Sequence, residues 1–455
     1  MHPTPGTGDR TDVGAMWNVC PADAVNGYER TPNAVTLAIV VTARGGRPVS
    51  GSATPTEIGQ RVRLHRERVG MARPVLAAQI GRSTEWLKAL ENGKIQRAPS
   101  LELLLRIARV LDLDDLATLT GDDHAVPVTV FAGERHAALS DVQSALTDYR
   151  LPQDRPVSLD HLAERLRKAW RVRHSSPDHR SQLGALLPGL IRDAQAAART
   201  ADDRRAARKT LAGVYQLADF YVAYQPAPEL VWMVADRAVN EGYEADDPYV
   251  IACSTWAMVQ ALRDSGRWEE AIALARNAID QITPYLDRLE TPDDWHGIAG
   301  ALEFEIAYVH GRRGRSGDAW RGLERAGRIA QQLGPTYRHV QTSFSQPVMA
   351  AHATTLAVEL RQPGEALRAA RSIDADQIVS VPRRGRHLIE VARAYMQRDE
   401  DTAALTMLVK SEWTAPETIR YNGFARDMLR DLSRKPPTGM RAEVRDLSQR
   451  VGIRP

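Results

Sequence analysis

The residues with the clearest chemistry are cations. Between Arg61 and Arg109 the chain carries eleven Lys or Arg against four acids, a local charge of +7 in a protein whose total is +3. The remainder is therefore acidic by 4. Cations gathered in this way neutralise phosphates and release the counterions that surround a nucleic-acid backbone. Arg73, Arg82, Lys88 and Lys94 fall on one predicted edge of the segment, which favours double-stranded DNA as the partner. Arg66 and Arg106, taken singly, read as a solvated helical face.

Other chemistries find little support. Cys20 and Cys253 have no CxxC or Cys/His cluster around them, which argues against a zinc site or disulfide framework and fits a reducing compartment. His174 and His179 share a Ser-Ser-Pro-Asp stretch, but no third ligand or HExxH spacing accompanies them. No GxGxxG or GxxxxGK[ST] loop is present to cradle a phosphate, and the Gly/Arg-rich stretch at 311–317 reads as a hairpin turn. No catalytic residue, metal or cofactor is expected, and the chain does not read as an enzyme.

The longest apolar run, 34–43, is too short to span a bilayer. Asp9, Asp12, Asp23 and Glu29 precede it in place of a basic secretory n-region. The expectation is a cytoplasmic, soluble protein without a membrane partner.

Four regions must position these groups. Residues 1–55 are rich in Gly, Pro, Thr and Asn without helical period, and read as a disordered leader or as residues ahead of the true translation start. Residues 56–120 read as five short helices. The first covers 56–69, with Ile58, Val62 and Leu64 on one face, and Gly70 stops it. The second covers 71–80, with Pro74 in its first turn. Gly81 turns the chain, and Ser83 is set to cap a third helix running to about Asn92. Trp86, Leu87 and Leu90 form its inward stripe, leaving Glu85, Lys88 and Ala89 outside. Helices over 101–111 and 114–119 complete the module. Two short helices joined at Gly81 make a helix-turn-helix unit, whose second helix can enter a major groove.

Ile58 to Arg68, then LAAQIG from Leu76 to Gly81, then Ser83 with Trp86, Leu87 and LENG to Gly93, then Pro99-Ser100 resemble the XRE/Cro-repressor type of helix-turn-helix over about 60 residues. The resemblance implies that Thr84, Glu85, Lys88 and Ala89 face bases. It also implies that Arg73 holds the second helix to phosphate, and that Lys94 and Arg97 touch backbone beyond the third; Arg82, Ser83 and Asn92 complete the candidate set. The family usually has Gln where this chain has Arg73 followed by Pro74, which puts the base contact of such a Gln in doubt.

Residues 121–157 read as a linker with one helix at about 134–149, and 158–455 as a helical repeat array. GRWEEA from Gly266, GRSGDA from Gly314, QPGEA from Gln362 and DEDTAA from Asp399 share a turn followed by an Ala in a new helix. The spacings between Ala271, Ala319, Ala366 and Ala404 are 48, 47 and 38, with a weaker copy at Leu230. Hairpins of this kind stack because none buries its apolar face alone. The array resembles tetratricopeptide (TPR) repeats, though its period exceeds the roughly 34 residues of that family. The whole ordered chain is therefore expected to be all-α, a five-helix Cro/XRE-type module followed by a TPR-like superhelix.

The combined order resembles Gram-positive, especially actinobacterial, regulators, some relatives of which sense oligopeptides in the repeats. The stretches 170–178 and 183–193 have the look of that class. The resemblance implies a homodimeric, sequence-specific transcriptional regulator with a peptide or small-molecule effector. Tyr215, Tyr224, Trp256, Gln260, Glu305 and Tyr308, on predicted lead helices, are the candidate ligand contacts, inter-repeat packing being the plainer reading of the aromatics. A DNA-tethered scaffold whose repeats hold a partner protein is the alternative.

Overall fold

The structure is a computed structural model that describes residues 55–95, 99, 101–111, 113, 116–121, 135–148, 158–288 and 290–453. Apart from Pro55, the expected leader lies outside the described residues, as do 122–134 and 149–157 of the expected linker and the candidate Arg97. The fold is all-α, with twenty-one α-helices among the described residues.

The head comprises α1 (Pro55–Arg68), α2 (Arg73–Gln79), α3 (Thr84–Glu91), α4 (Leu101–Val110) and α5 (Ala117–Thr120). Its core is its own: Ile58, Val62, Leu76, Ile80, Leu87, Leu90 and Ile107 are all buried together. Gly81 lies at φ 69°, and the N–H of Arg82 reaches back to the carbonyl of Ala77 at 2.8 Å. That left-handed closure strains any residue with a Cβ, so glycine ends α2 and turns the chain toward α3. Gly59 answers a different need. A Cβ there would stand 1.9 Å from the carbonyl oxygen of Leu90, so α1 and α3 meet backbone to side-chain-free backbone.

One expected inward position is corrected. Leu64 is 47% exposed. It lies two residues from Val62, more than half a turn around the helix, whereas Ile58, Val62 and Arg66 step by four along one face. The third place on the buried stripe thus falls to Arg66. The second helix also begins at Arg73 rather than 71, because Ala72 is extended at its N-cap.

The body is a row of six helical hairpins: α7 (Leu159–Ser175) with α8 (His179–Thr200), α9 (Arg204–Val222) with α10 (Pro228–Glu244), α11 (Pro248–Asp264) with α12 (Trp268–Leu286), α13 (Asp293–Arg312) with α14 (Ser316–Leu333), α15 (Gln346–Glu359) with α16 (Pro363–Arg371), and α17 (Val381–Met396) with α18 (Asp401–Thr414). A short helix α6 (Leu139–Leu146) precedes them; it packs Leu139, Val142 and Leu146 into the core that α8 and α9 share. Three more follow, α19 (Pro416–Tyr421), α20 (Gly423–Arg434) and α21 (Arg441–Arg450).

The repeat is visible in the turns. Gly266, Gly314, Arg361 and Asp399 all adopt positive φ, between 58° and 72°. In each case the next N–H bonds the carbonyl five residues back: Arg267 to Leu262, Arg315 to His310, Gln362 to Ala357 and Glu400 to Tyr395, all at 2.8–3.0 Å. Five residues past each turn stand Ala271, Ala319, Ala366 and Ala404, all fully buried on the second helix of their hairpin. Tyr224 turns the α9–α10 hairpin differently. Its φ is 66°, and the Gln225 N–H bonds Val222 instead.

First helices pack on first helices, from α7 through α9, α11, α13 and α15 to α17, and α17 packs back on α7. The row closes into a ring whose inner wall is made of first helices. At the seam, the carboxylate of Glu417 accepts the backbone N–H of Arg180 at 2.5 Å and of Ser181 at 3.2 Å, joining α19 to the start of α8.

Candidate nucleic-acid interface

The recognition candidate is α3. Ser83 is extended at its N-cap, and its Oγ accepts the Trp86 N–H at 3.1 Å, replacing one of the bonds the first turn lacks. Leu87 and Leu90 are fully buried. That anchoring fixes which face stays outside. Glu85 and Lys88 are exposed, with Thr84 and Ala89 half-buried at the margins of the same face. Arg82, Ser83, Asn92 and Lys94 are exposed at the two ends. Trp86, expected inside, is half-buried against the core, and the Arg82 guanidinium lies 5.4 Å from its ring centroid.

Beneath this face lies a feature the sequence reading missed. Glu91 has a fully buried carboxylate. Arg66 grips it with two bonds, Nε to Oε1 at 2.6 Å and Nη2 to Oε2 at 3.0 Å, while its Nη1 donates to the Met71 carbonyl at 2.8 Å. Arg73 adds a third bond, Nε to Oε2 at 2.5 Å. One acid from α3 thereby ties down a cation from α1 and another from the start of α2. The hydrogen bonds to Glu91 raise the pKa of Arg66. Arg66 is thus no solvated residue but part of the buried frame. Arg106, also expected on a solvated face, is half-buried, and its Nη1 donates to the Ile80 carbonyl at 3.2 Å at the end of α2. A signal for Glu91 existed: it follows Leu87 by four, on the buried stripe, where a carboxylate needs a cation.

Arg73 stands at the first turn of α2, a third exposed and bound to Glu91. Arg109, at the end of α4, reaches within 3.9 Å of Asp427 on α20, both partly exposed.

The ligand candidates scatter. Tyr215 is buried toward α8 and α10, accepting a bond from Gln195 at 3.1 Å, with Arg237 over its ring. Trp256 is buried and stacks on Phe220 at 5.7 Å. Gln260 is half-buried, with an amide nitrogen that finds no acceptor among the described residues. Glu305 is buried in an ion pair with Arg263, and the Tyr308 hydroxyl donates to Glu359 at 3.3 Å. Tyr224, at its turn, accepts a bond from Arg386 at 2.9 Å. Trp256 and Glu305 line one small internal space with Phe304, His352 and Arg383; it measures about 10 Å³, about one water. Tyr215 lies away from it.

Among the described residues no helix is long and apolar enough to cross a membrane, and no three His, Cys, Asp or Glu gather as a metal site would need.

Residues 57–119 match the model of a helix-turn-helix domain family. No curated protein matches the chain. Two solved structures are similar at low identity. One is Bacillus thuringiensis PlcR in complex with the peptide PapR7 and DNA, 12% identical over 79% of this chain and 99% of that one, with a TM-score of 0.26. The other is the apo form of the competence regulator ComR from Streptococcus vestibularis, 14% identical over 61% and 92%, with a TM-score of 0.22. With three of its five helices locked through Glu91 and the outer face of α3 left bare, the segment 57–119 is a helix-turn-helix domain, joined in this chain to a body of stacked helical hairpins.

Proposed function

We propose that the protein is a sequence-specific transcriptional regulator that binds DNA through its head as a homodimer and whose ring responds to a small ligand or peptide. The observation that carries the first half is the outer face of α3: Glu85 and Lys88 are exposed, flanked by the half-buried Thr84 and Ala89, on a helix anchored by the buried Leu87 and Leu90. Base edges in a major groove are read from such a face, and Arg82 and Lys94 at its ends are placed for the flanking phosphates. Arg73 serves more as frame than as phosphate contact in this reading, since Glu91 already holds its charge.

The second half follows from linkage. A ligand changes DNA affinity only by preferring one arrangement of the protein over another, and a ring closed at a single seam offers two arrangements, shut and opened. Selection of the full-length protein on a random duplex pool tests the proposal. An enriched inverted repeat, with half-sites about 10–10.5 base pairs apart centre to centre or a multiple of that, is the expected result. A pool that shows no enrichment after repeated rounds contradicts it.

A further inference from the structure

Arg173 lies near the end of α7, where α17 closes the ring. It is only 8% exposed, and its Nε and Nη1 find no acceptor among the described residues. Among the described residues no acid faces it: Arg180 and Arg383 press on it, and the Tyr224 hydroxyl and the face of the Phe220 ring are the groups that favour its charge. The Phe220 ring lies 4.7 Å from its guanidinium, and Phe220 in turn meets Trp170 and Trp256. Arg180 has a buried Nε without an acceptor, and so does the Nδ1 of His179. Burial, then the fields of the two arginines, brings Arg173 down to about 9, which leaves it charged at neutral pH. The nearby carboxylate of Glu417 is engaged with the start of α8.

A guanidinium taken out of water without a counter-charge is strongly disfavoured. Water can complete its hydrogen bonds but brings no charge. The head shows how this chain satisfies such a group when the partner is internal: Glu91 holds Arg66 with two bonds. Access is at hand, because Tyr224 is 39% exposed and Arg383 and Arg386 beside it are half-buried. We infer that the seam between α7 and α17 binds the carboxylate of a small ligand, with Arg173 as the anchor and Arg180 and Arg383 beside it. This site belongs to the ligand-sensing half of the proposed function and rests on it. The aromatic floor suits a ligand whose carboxylate sits on an apolar body. A carboxylate there also stitches α7 to α17 by bridging cations from both, so it favours the closed ring.

The test is thermal unfolding of the full-length protein in succinate, in inorganic phosphate, and in acetyl-tetraalanine with a free or an amidated C-terminus. Each is compared with sodium chloride at equal ionic strength. The wild type should gain several degrees in succinate, in the free-acid peptide or in both, and the arm that responds tells a free acid from a peptide terminus. Arg173→Met should abolish the gain while melting, without ligand, no lower than the wild type. Should that variant not fold, Arg383→Gln, at the half-buried rim, should reduce the gain by more than half. A wild type that gains nothing from any carboxylate, a gain in phosphate alone, or an equal gain in the variants overturns the site. The readout does not pass through DNA. A protein that enriches an operator yet shows no carboxylate gain loses this site and keeps the regulator reading, whereas one that gains but selects no DNA loses only the regulator reading.

Discussion

The head and the ring both pair buried arginines with buried acids, Arg66 with Glu91 in one and Arg263 with Glu305 in the other, but the seam of the ring leaves one arginine out. In the head, Arg66 and Arg73 converge on the fully buried carboxylate of Glu91. In the ring, Arg173 is buried beside two further arginines, with no acid bonded to it among the described residues. The ring also buries an acid in poor company. Asp219, on α9, is pushed up to about 7 by burial and then by the field of Asp264. A buried charge with its partner builds a frame, and one without it stores a demand for a partner from outside. The difference marks the seam between α7 and α17, rather than the ring as a whole, as the place where the proposed ligand would act.

Breaking the head's frame should give the largest effect. Glu91→Ala leaves Arg66 buried without its acid, and the head should lose about 3–5 kcal/mol, followed by denaturant unfolding, with DNA binding lost in step. A milder loss in Glu91→Gln would sharpen the same point, since the amide keeps a hydrogen-bond acceptor.

The ring's uneasy acid gives an effect of similar size with the opposite sign. The folded pKa of Asp219, about 7, lies above its unfolded value near 3.8, so the folded chain still holds the proton after the unfolded chain has released it. Stability is therefore complete below about pH 4 and is lost as the pH rises through 7. Asp219→Asn should be more stable than the wild type by about 4 kcal/mol at pH 8, with the gap shrinking to about 1.6 kcal/mol at pH 5. A gap that does not vary with pH would mean that the ring bears no such cost.

Contacts to DNA come next. Lys88→Ala should weaken binding to a selected operator by about 1–3 kcal/mol and relax its specificity, whereas Arg82→Ala should weaken all duplexes alike. The smallest effect belongs to the exposed pair of Arg109 and Asp427, where Arg109→Ala should cost less than about 1 kcal/mol of stability by thermal unfolding.

Much of this architecture was legible in the chain. Glycines at 70, 81 and 93, the Ser83 cap and the Leu87–Leu90 stripe marked the helix-turn-helix, because those signals act within a few residues of each other. The turn-and-alanine copies likewise marked the hairpins, since Ala271, Ala319, Ala366 and Ala404 are buried within five residues of their turns. What escaped was every feature made by distant residues. Arg66 and Glu91 are 25 positions apart, and Arg66 taken singly read as solvent-facing. Packing of α13 between α11 and α15 makes Glu305 and Tyr308 interior partners of Arg263 and Glu359 instead of groove contacts. Periodicity gives the face on which each residue lies but not the distant partner that meets it there, because that partner stands on another helix.

In the proposed function the outer face of the head meets the DNA backbone through a few exposed cations. Titrating the full-length protein against one duplex over a salt series, beside Lys94→Ala, tests it most directly. The prediction is a linear fall of log affinity with log salt, weaker binding by the variant, and a slope shallower by about 0.9 for the lost contact. Identical slopes for the two proteins, or no fall with salt at all, would contradict it.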